Sequence, residues 1–198
     1  MFLNHVFLGL FWILYGVLHS VLAHQNIKSR LAKKLGRYSQ YYRLGYNLLA
    51  FVLLILLLYF QLRMRSSFVF DPNTLTKMAG IFFTGLGLII MILCILKYFG
   101  GLSGVKGAYI EEASTTLHIT GLHHYVRHPL YLGTFIFIWG LFILFPFYSL
   151  LIMDVTITAY TLIGIKLEEE KLIHQFGNQY LEYRQKVPML LPSFRKNL

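Results

Sequence analysis

Residues 1–23, 44–62 and 78–96 contain no Asp, Glu, Lys or Arg. A helix of about 20 residues crosses ~30 Å of hydrocarbon, and only helices and closed barrels satisfy their backbone there. These runs therefore constrain the fold to membrane-spanning helices. A fourth apolar stretch, 129–165, carries one charge, Asp154. As a single helix it would be about 55 Å long, too long for one crossing. Phe145-Pro146 near its middle offers a turn, because proline lacks the amide that a continuing helix needs. The stretch reads as a hairpin with arms 129–145 and 147–165. The expected fold is all-α and integral to the membrane. It has five transmembrane helices (2–23, 44–62, 78–96, 129–145 and 147–165), the last two a hairpin, and then an amphipathic C-terminal helix on the cytoplasmic side.

Charge supports this reading. Only 13% of the 198 residues are charged, yet the formal net charge is +10. Soluble domains carry about a quarter charged residues. Such basicity would suggest nucleic acid in a soluble protein, but here topology accounts for it. Six Lys or Arg lie in 28–43, three in 97–127 and six in 166–196, against Arg63, Arg65 and Lys77 on the other side. The positive-inside rule then places the N-terminus outside and the C-terminus in the cytoplasm. The first span lacks the basic flank and short apolar core of a removable signal. Cys94 is the single cysteine, so no intrachain disulfide forms.

The chain reads as one domain, residues 1–198, without repeats. Its first polar loop, 24–43, suits the membrane interface: tyrosines for the headgroup region, lysines for anionic lipid. The outer loop is turn-prone at Asp71-Pro72-Asn73. Concentrated polarity flanks the hairpin. His118, His123, His124, Arg127 and His128 precede it, and Glu168, Glu169 and Glu170 follow it. An antiparallel hairpin brings its ends together, so the histidines and glutamates should face each other across one site, built from 115–133 and 166–188. Beyond the glutamates, Leu172, Phe176, Tyr180 and Tyr183 fall on one helical face, with a break expected at Gly177-Asn178.

Several chemistries compete for that site. His124 and His128 stand at a metal-ligand spacing on a helix, but Pro129 pushes His128 out of helical geometry and Arg127 repels a cation. No metal is therefore expected. Interfacial side chains solvated by headgroups account for lone histidines, yet three adjacent acids gain nothing from anionic lipid. A zwitterionic cofactor with ribose hydroxyls wants carboxylates at one end and donors at the other, which S-adenosyl-L-methionine would satisfy. The chain has no GxGxxG, so a soluble dinucleotide-type methyltransferase is excluded on pattern.

The stretch TTLHITGLHHYVRHPLYLG, followed about 35 residues later by EEEKLIHQFGNQYLEYRQKVPMLLP, resembles the isoprenylcysteine carboxyl methyltransferase superfamily. The elements RHPxYxG and EExxLxxxFGxxYxxYxxxVPxxxP occur in order and flank a hairpin. LHSVLA at 18–23 and YYRLGYN at 41–47 look more like its bacterial thiol methyltransferase and NnrU-type branch. The resemblance implies an integral-membrane methyltransferase using S-adenosyl-L-methionine. It further implies that Leu117, His118 and His123 line the cofactor, that His128, Pro129 and Tyr131 shape the turn around it, and that Glu169 or Glu168 binds its polar groups. An arginine that serves the substrate in the prenylcysteine enzymes is absent, with Gly164-Ile165-Lys166 in its place. That favours a small hydrophobic thiol such as methanethiol over a prenylcysteine carboxylate or lipid acceptor.

The chemistry needs alignment and exclusion of water, and a thiol must lose its proton. His128 or His124 would serve as base. Arg127 would hold the cofactor carboxylate or lower the thiol's pKa. Asp154 is an intramembrane acid, either functional or a protonated or hydrogen-bonded packing residue. A membrane reductase using a nicotinamide cofactor and a non-catalytic membrane protein are the readings from other classes.

Overall fold

The computed structural model describes residues 2–102, 117 and 119–192, and among them all regular structure is helical. The element order is α1 (Phe2–Ala23), α2 (Gln25–Leu35), a 3₁₀ segment (Gly36–Tyr41), α3 (Tyr42–Arg63), α4 (Thr74–Leu102), a 3₁₀ turn (Gly121–His124), α5 (Pro129–Leu144), α6 (Tyr148–Phe176) and α7 (Asn178–Lys186). Helices α1, α3, α4 and α6 are long and apolar enough to cross a membrane. Helix α5 is equally apolar but has 16 residues, about 24 Å of rise. Leu10, Leu14, Phe51, Ile55, Phe82 and Ile89 lie exposed on the long helices. Water would not tolerate so continuous an apolar surface, whereas lipid favours it. The chain is a multi-pass membrane protein.

The described residues fall into two compact units. The first takes those of Met1–Asp71, Gly100–Glu111 and Pro146–Ile157. Its core joins Leu8 and Trp12 of α1, Leu57 of α3 and Met153 of α6. The Trp12 indole donates to Gln61 Oε1 at 3.0 Å, and Gln61 Nε2 reaches Met153 Sδ at 3.6 Å, so the buried amide is partnered. Both carboxylate oxygens of fully buried Asp154 lack a hydrogen-bond partner. Of the alternatives for Asp154, the hydrogen-bonded packing role is not seen among the described residues. The chain reverses at Phe145-Pro146, as expected, and Phe147 stacks on Phe68 with ring centres 4.6 Å apart. The amide of Val69 donates to the Pro146 carbonyl at 2.7 Å.

The second unit takes the described residues of Pro72–Phe99, Glu112–Phe145 and Thr158–Leu198. Here α4 and α5 run antiparallel in backbone contact. A Cβ on Gly80 would stand 2.6 Å from the Leu144 nitrogen, and one on Gly140 would stand 2.5 Å from the Thr84 nitrogen. Small residues at every second turn let the helices approach this closely, the usual means of helix association in lipid. Trp139 of α5 donates to Thr158 of α6 at 3.1 Å. Helix α6 runs unbroken through 166–176, well past the apolar stretch that ends at Ile165. Its LEEEKL sequence is rich in helix formers and holds no breaker. Gly177, at φ +56° and ψ −130°, ends it, and α7 follows at once. Few residues other than glycine adopt that backbone conformation.

Candidate functional site

The site is built within the second unit, where the start of α5 meets the end of α6. Pro129 opens α5 as its first helical residue, a position that needs no amide donor. His128 before it has a non-helical backbone, at φ −125° and ψ 66°. Its side chain is thereby turned from helix capping toward α6. Further up the hairpin Trp139 meets Thr158. At its open end Tyr131 meets Glu168 and His128 meets Glu169. The expected juxtaposition of histidine and glutamate is thus present.

Three consecutive glutamates on a helix point about 100° apart, so they cannot share one environment. Glu169 turns inward and is buried, while Glu168 and Glu170 are exposed. Glu169 Oε1 accepts from Arg127 Nε at 2.8 Å and lies 3.1 Å from His128 Nε2. Its Oε2 lies 3.6 Å from the Arg184 guanidinium. Burial works against the charge on Glu169, but the hydrogen bonds from Arg127 and His128 and the positive charge of Arg127 outweigh it. They hold the carboxyl below its ordinary pKa. The Tyr180 hydroxyl is buried beside this pair without a hydrogen bond of good geometry, and burial with the nearby Glu169 charge pushes its pKa up.

Arg127 is a buckle as well as a counter-ion. Its Nη1 donates to the carbonyls of Arg184 at 3.1 Å and Val187 at 2.5 Å. The amides of Arg127 and His128 donate to Pro188 and Met189 at 2.9 and 3.1 Å. The Tyr183 hydroxyl donates to the His123 carbonyl at 2.6 Å, and His123 Nδ1 lies 3.0 Å from the Arg127 carbonyl. The segment before α5 is therefore clasped by α7 and the VPM segment after it. Arg127 was expected to meet a cofactor carboxylate or a thiol, and its Nε and Nη1 are instead spent inside the protein.

Glu168 stands on the other side of His128. The His128 ring stacks on Tyr131 at 5.7 Å, and Nδ1 stands 4.0 Å from Glu168 Oε2. The Tyr131 hydroxyl donates to that same oxygen at 3.1 Å, and the Glu168 side chain is 46% exposed. His124 is exposed with its ring edge-on to Tyr125. Leu117 is half-buried, Pro129 is buried, and His118 lies outside the described residues. At the position of the missing arginine, Ile165 is fully buried and Lys166 exposed. A Cβ on Gly164 would meet nothing within 4 Å. Arg184 and the carbonyls of 187–189 escaped the sequence reading. For Arg184 the signal is the YxxYR spacing that sets it beside Tyr183 and Tyr180.

The profile of the phospholipid methyltransferase family matches residues 75–179, from the first turn of α4 into α7. The chain belongs to the phospholipid methyltransferase family. Both sides of the histidine–glutamate site fall inside the matched region. A methanethiol S-methyltransferase of Bradyrhizobium diazoefficiens is 32% identical over 90% of this chain and 64% of its own length. One from Mycobacterium tuberculosis is 30% identical over 96% of this chain and 77% of its own length. A protein-S-isoprenylcysteine O-methyltransferase of Xenopus laevis is 38% identical over 43% of this chain and 30% of its own length. The chain spans just under two thirds of the length of the first of these relatives. No solved structure shows significant similarity.

Proposed function

We propose that this chain is an S-adenosyl-L-methionine-dependent membrane methyltransferase that S-methylates a small hydrophobic thiol such as methanethiol. The observation that carries the reading is the exposed carboxylate of Glu168, bonded to Tyr131 and beside His128 at the meeting of α5 and α6, inside the family match. The donor set suits such a cofactor. An exposed carboxylate with one unengaged oxygen offers acceptors to an ammonium or ribose diol, and the exposed imidazole of His124 offers a donor. When bound, S-adenosyl-L-methionine supplies a methyl group activated by its sulfonium.

The residues divide the work. Glu168 is the carboxylate free to receive the cofactor's polar groups, with Tyr131 steering its Oε2. Glu169 holds His128 and Arg127 from inside, so the expected order of the two glutamates is exchanged. Because Nε2 of His128 is taken by Glu169, Nδ1 is the atom available to accept a thiol proton, with His124 as the alternative base. Leu117, His123 and Pro129 frame the pocket. In the whole protein, α5 counts as a fifth span, the chain acts as one domain, and the site and C-terminus face the cytoplasm.

Glu168→Gln should remove charge-assisted hydrogen bonds and weaken calorimetric affinity for S-adenosylhomocysteine about 10–150-fold, with Lys77→Ala unchanged. Equal affinity in both variants would refute the pocket. A second reading, methylation of a prenylcysteine carboxylate, is favoured by the 38% identity to the isoprenylcysteine enzyme. Purified protein given labelled cofactor with methanethiol, and separately with farnesylated cysteine, decides between them. Label in the farnesyl ester without dimethyl sulfide would select the second.

A further inference from the structure

The loop 24–43, in the first unit, is chemically unlike the rest of the chain. It holds six Lys or Arg and no acid, and the first acid of the whole sequence is Asp71. The loop is tied down at both ends. Only His24 separates α1 from α2, and the Tyr42 hydroxyl at the start of α3 donates to the Leu22 carbonyl at the end of α1 at 2.8 Å. Helix α2 is therefore anchored where two apolar helices end. Along it, Ile27 and Leu31 are half-buried, and Arg30, Lys33 and Lys34 are exposed. These five residues line one groove of about 500 Å³. Tyr38 and Tyr41 follow, more than half exposed.

We propose that this groove binds the headgroup of an anionic phospholipid, with the phosphate among Arg30, Lys33 and Lys34 and the glycerol region against Ile27 and Leu31. A cationic rim over an aliphatic floor matches an amphiphile, with charge and apolar surface meeting side by side. Free phosphate or nucleic acid would use the rim and gain nothing from the floor. Exposed tyrosines in the 3₁₀ segment that follows suit the headgroup zone. This site is separate in residues and chemistry from the Glu168 face and does not depend on the reading of that face.

The test uses the full chain in a neutral detergent. Native mass spectrometry would titrate it with short-chain phosphatidylglycerol, phosphatidylcholine and inorganic phosphate. Phosphatidylglycerol should bind at least tenfold more tightly than the other two, and its affinity should fall with salt. The triple variant R30Q/K33Q/K34Q should lose about 100-fold in that affinity, roughly fivefold per charge. The charge-keeping R30K/K33R/K34R should retain it, which guards against a folding defect. Equal binding of the two lipids, phosphate binding as tight as the lipid, or equal losses in both triple variants would each overturn the proposal. A short oligonucleotide binding more tightly than the lipid would do the same.

Discussion

Replacing Arg127 by methionine should unclasp the tail from the start of α5. The side chain is 9% exposed and makes three charge-assisted hydrogen bonds, to Glu169 Oε1 and to the carbonyls of Arg184 and Val187. Removing one partner of a buried pair costs about 3–5 kcal/mol, because the other charge stays buried. His128 and Arg184 still stand near Glu169, which argues for the lower end, about 3 kcal/mol. The affected region has its own reporters, the amides of residues 127 and 128 bonded to Pro188 and Met189. Local opening made easier by about 3 kcal/mol raises their hydrogen exchange about 100-fold. Mass-spectrometric exchange on the detergent-solubilised chain would read it. The double variant Arg127→Met/Glu169→Gln should recover most of the protection, since the stranded charge is gone. An increase below fivefold in the single variant, or no recovery in the double, would refute the electrostatic account of the clasp.

The same reporters carry a pH prediction. The pKa of Glu169 is depressed in the fold, so its stabilisation is complete above the unfolded carboxyl value of about 4.3. It is lost as pH falls through the folded value, so exchange corrected for intrinsic rate should be flat down to about pH 5 and rise below about 4. Glu169→Gln should abolish that rise. In the α4–α5 seam, a Cβ on Gly87 would strike the backbone nitrogen of Phe137. Gly87→Ala should cost about 1–3 kcal/mol and lower the melting temperature, whereas Gly85→Ala, with nothing within 4 Å, should leave it unchanged. Gly177→Ala should cost about 1–3 kcal/mol through its backbone alone, there being open space around it. A thermal melt equal to the unsubstituted chain would show that the α6–α7 joint relaxes freely.

Local sequence sets the helices and where they turn. Absence of charge over 20 residues is a local property, and lipid enforces it without reference to other segments. Hence α1, α3 and α4 contain the runs 1–23, 44–62 and 78–96 within a residue or a few at each end. Proline at 146 and glycine at 177 were legible for the same reason, because each limits its own backbone. The meeting of the histidines with the glutamates was legible too, since a hairpin's ends must approach. What the glutamates do there was not. It takes the packing of α5 on α6 to turn Glu169 inward to Arg127 and Glu168 out to Tyr131. That choice depends on the rotation of α6 against α5, which adjacent identical residues cannot encode. Sequence likewise flagged Asp154 as an acid in an apolar run, but not that both its oxygens would lack a partner. The clasp by Val187, Pro188 and Met189 was invisible for a deeper reason: it is made by backbone carbonyls, which every residue carries. A carbonyl becomes specific only where folding brings it against Arg127.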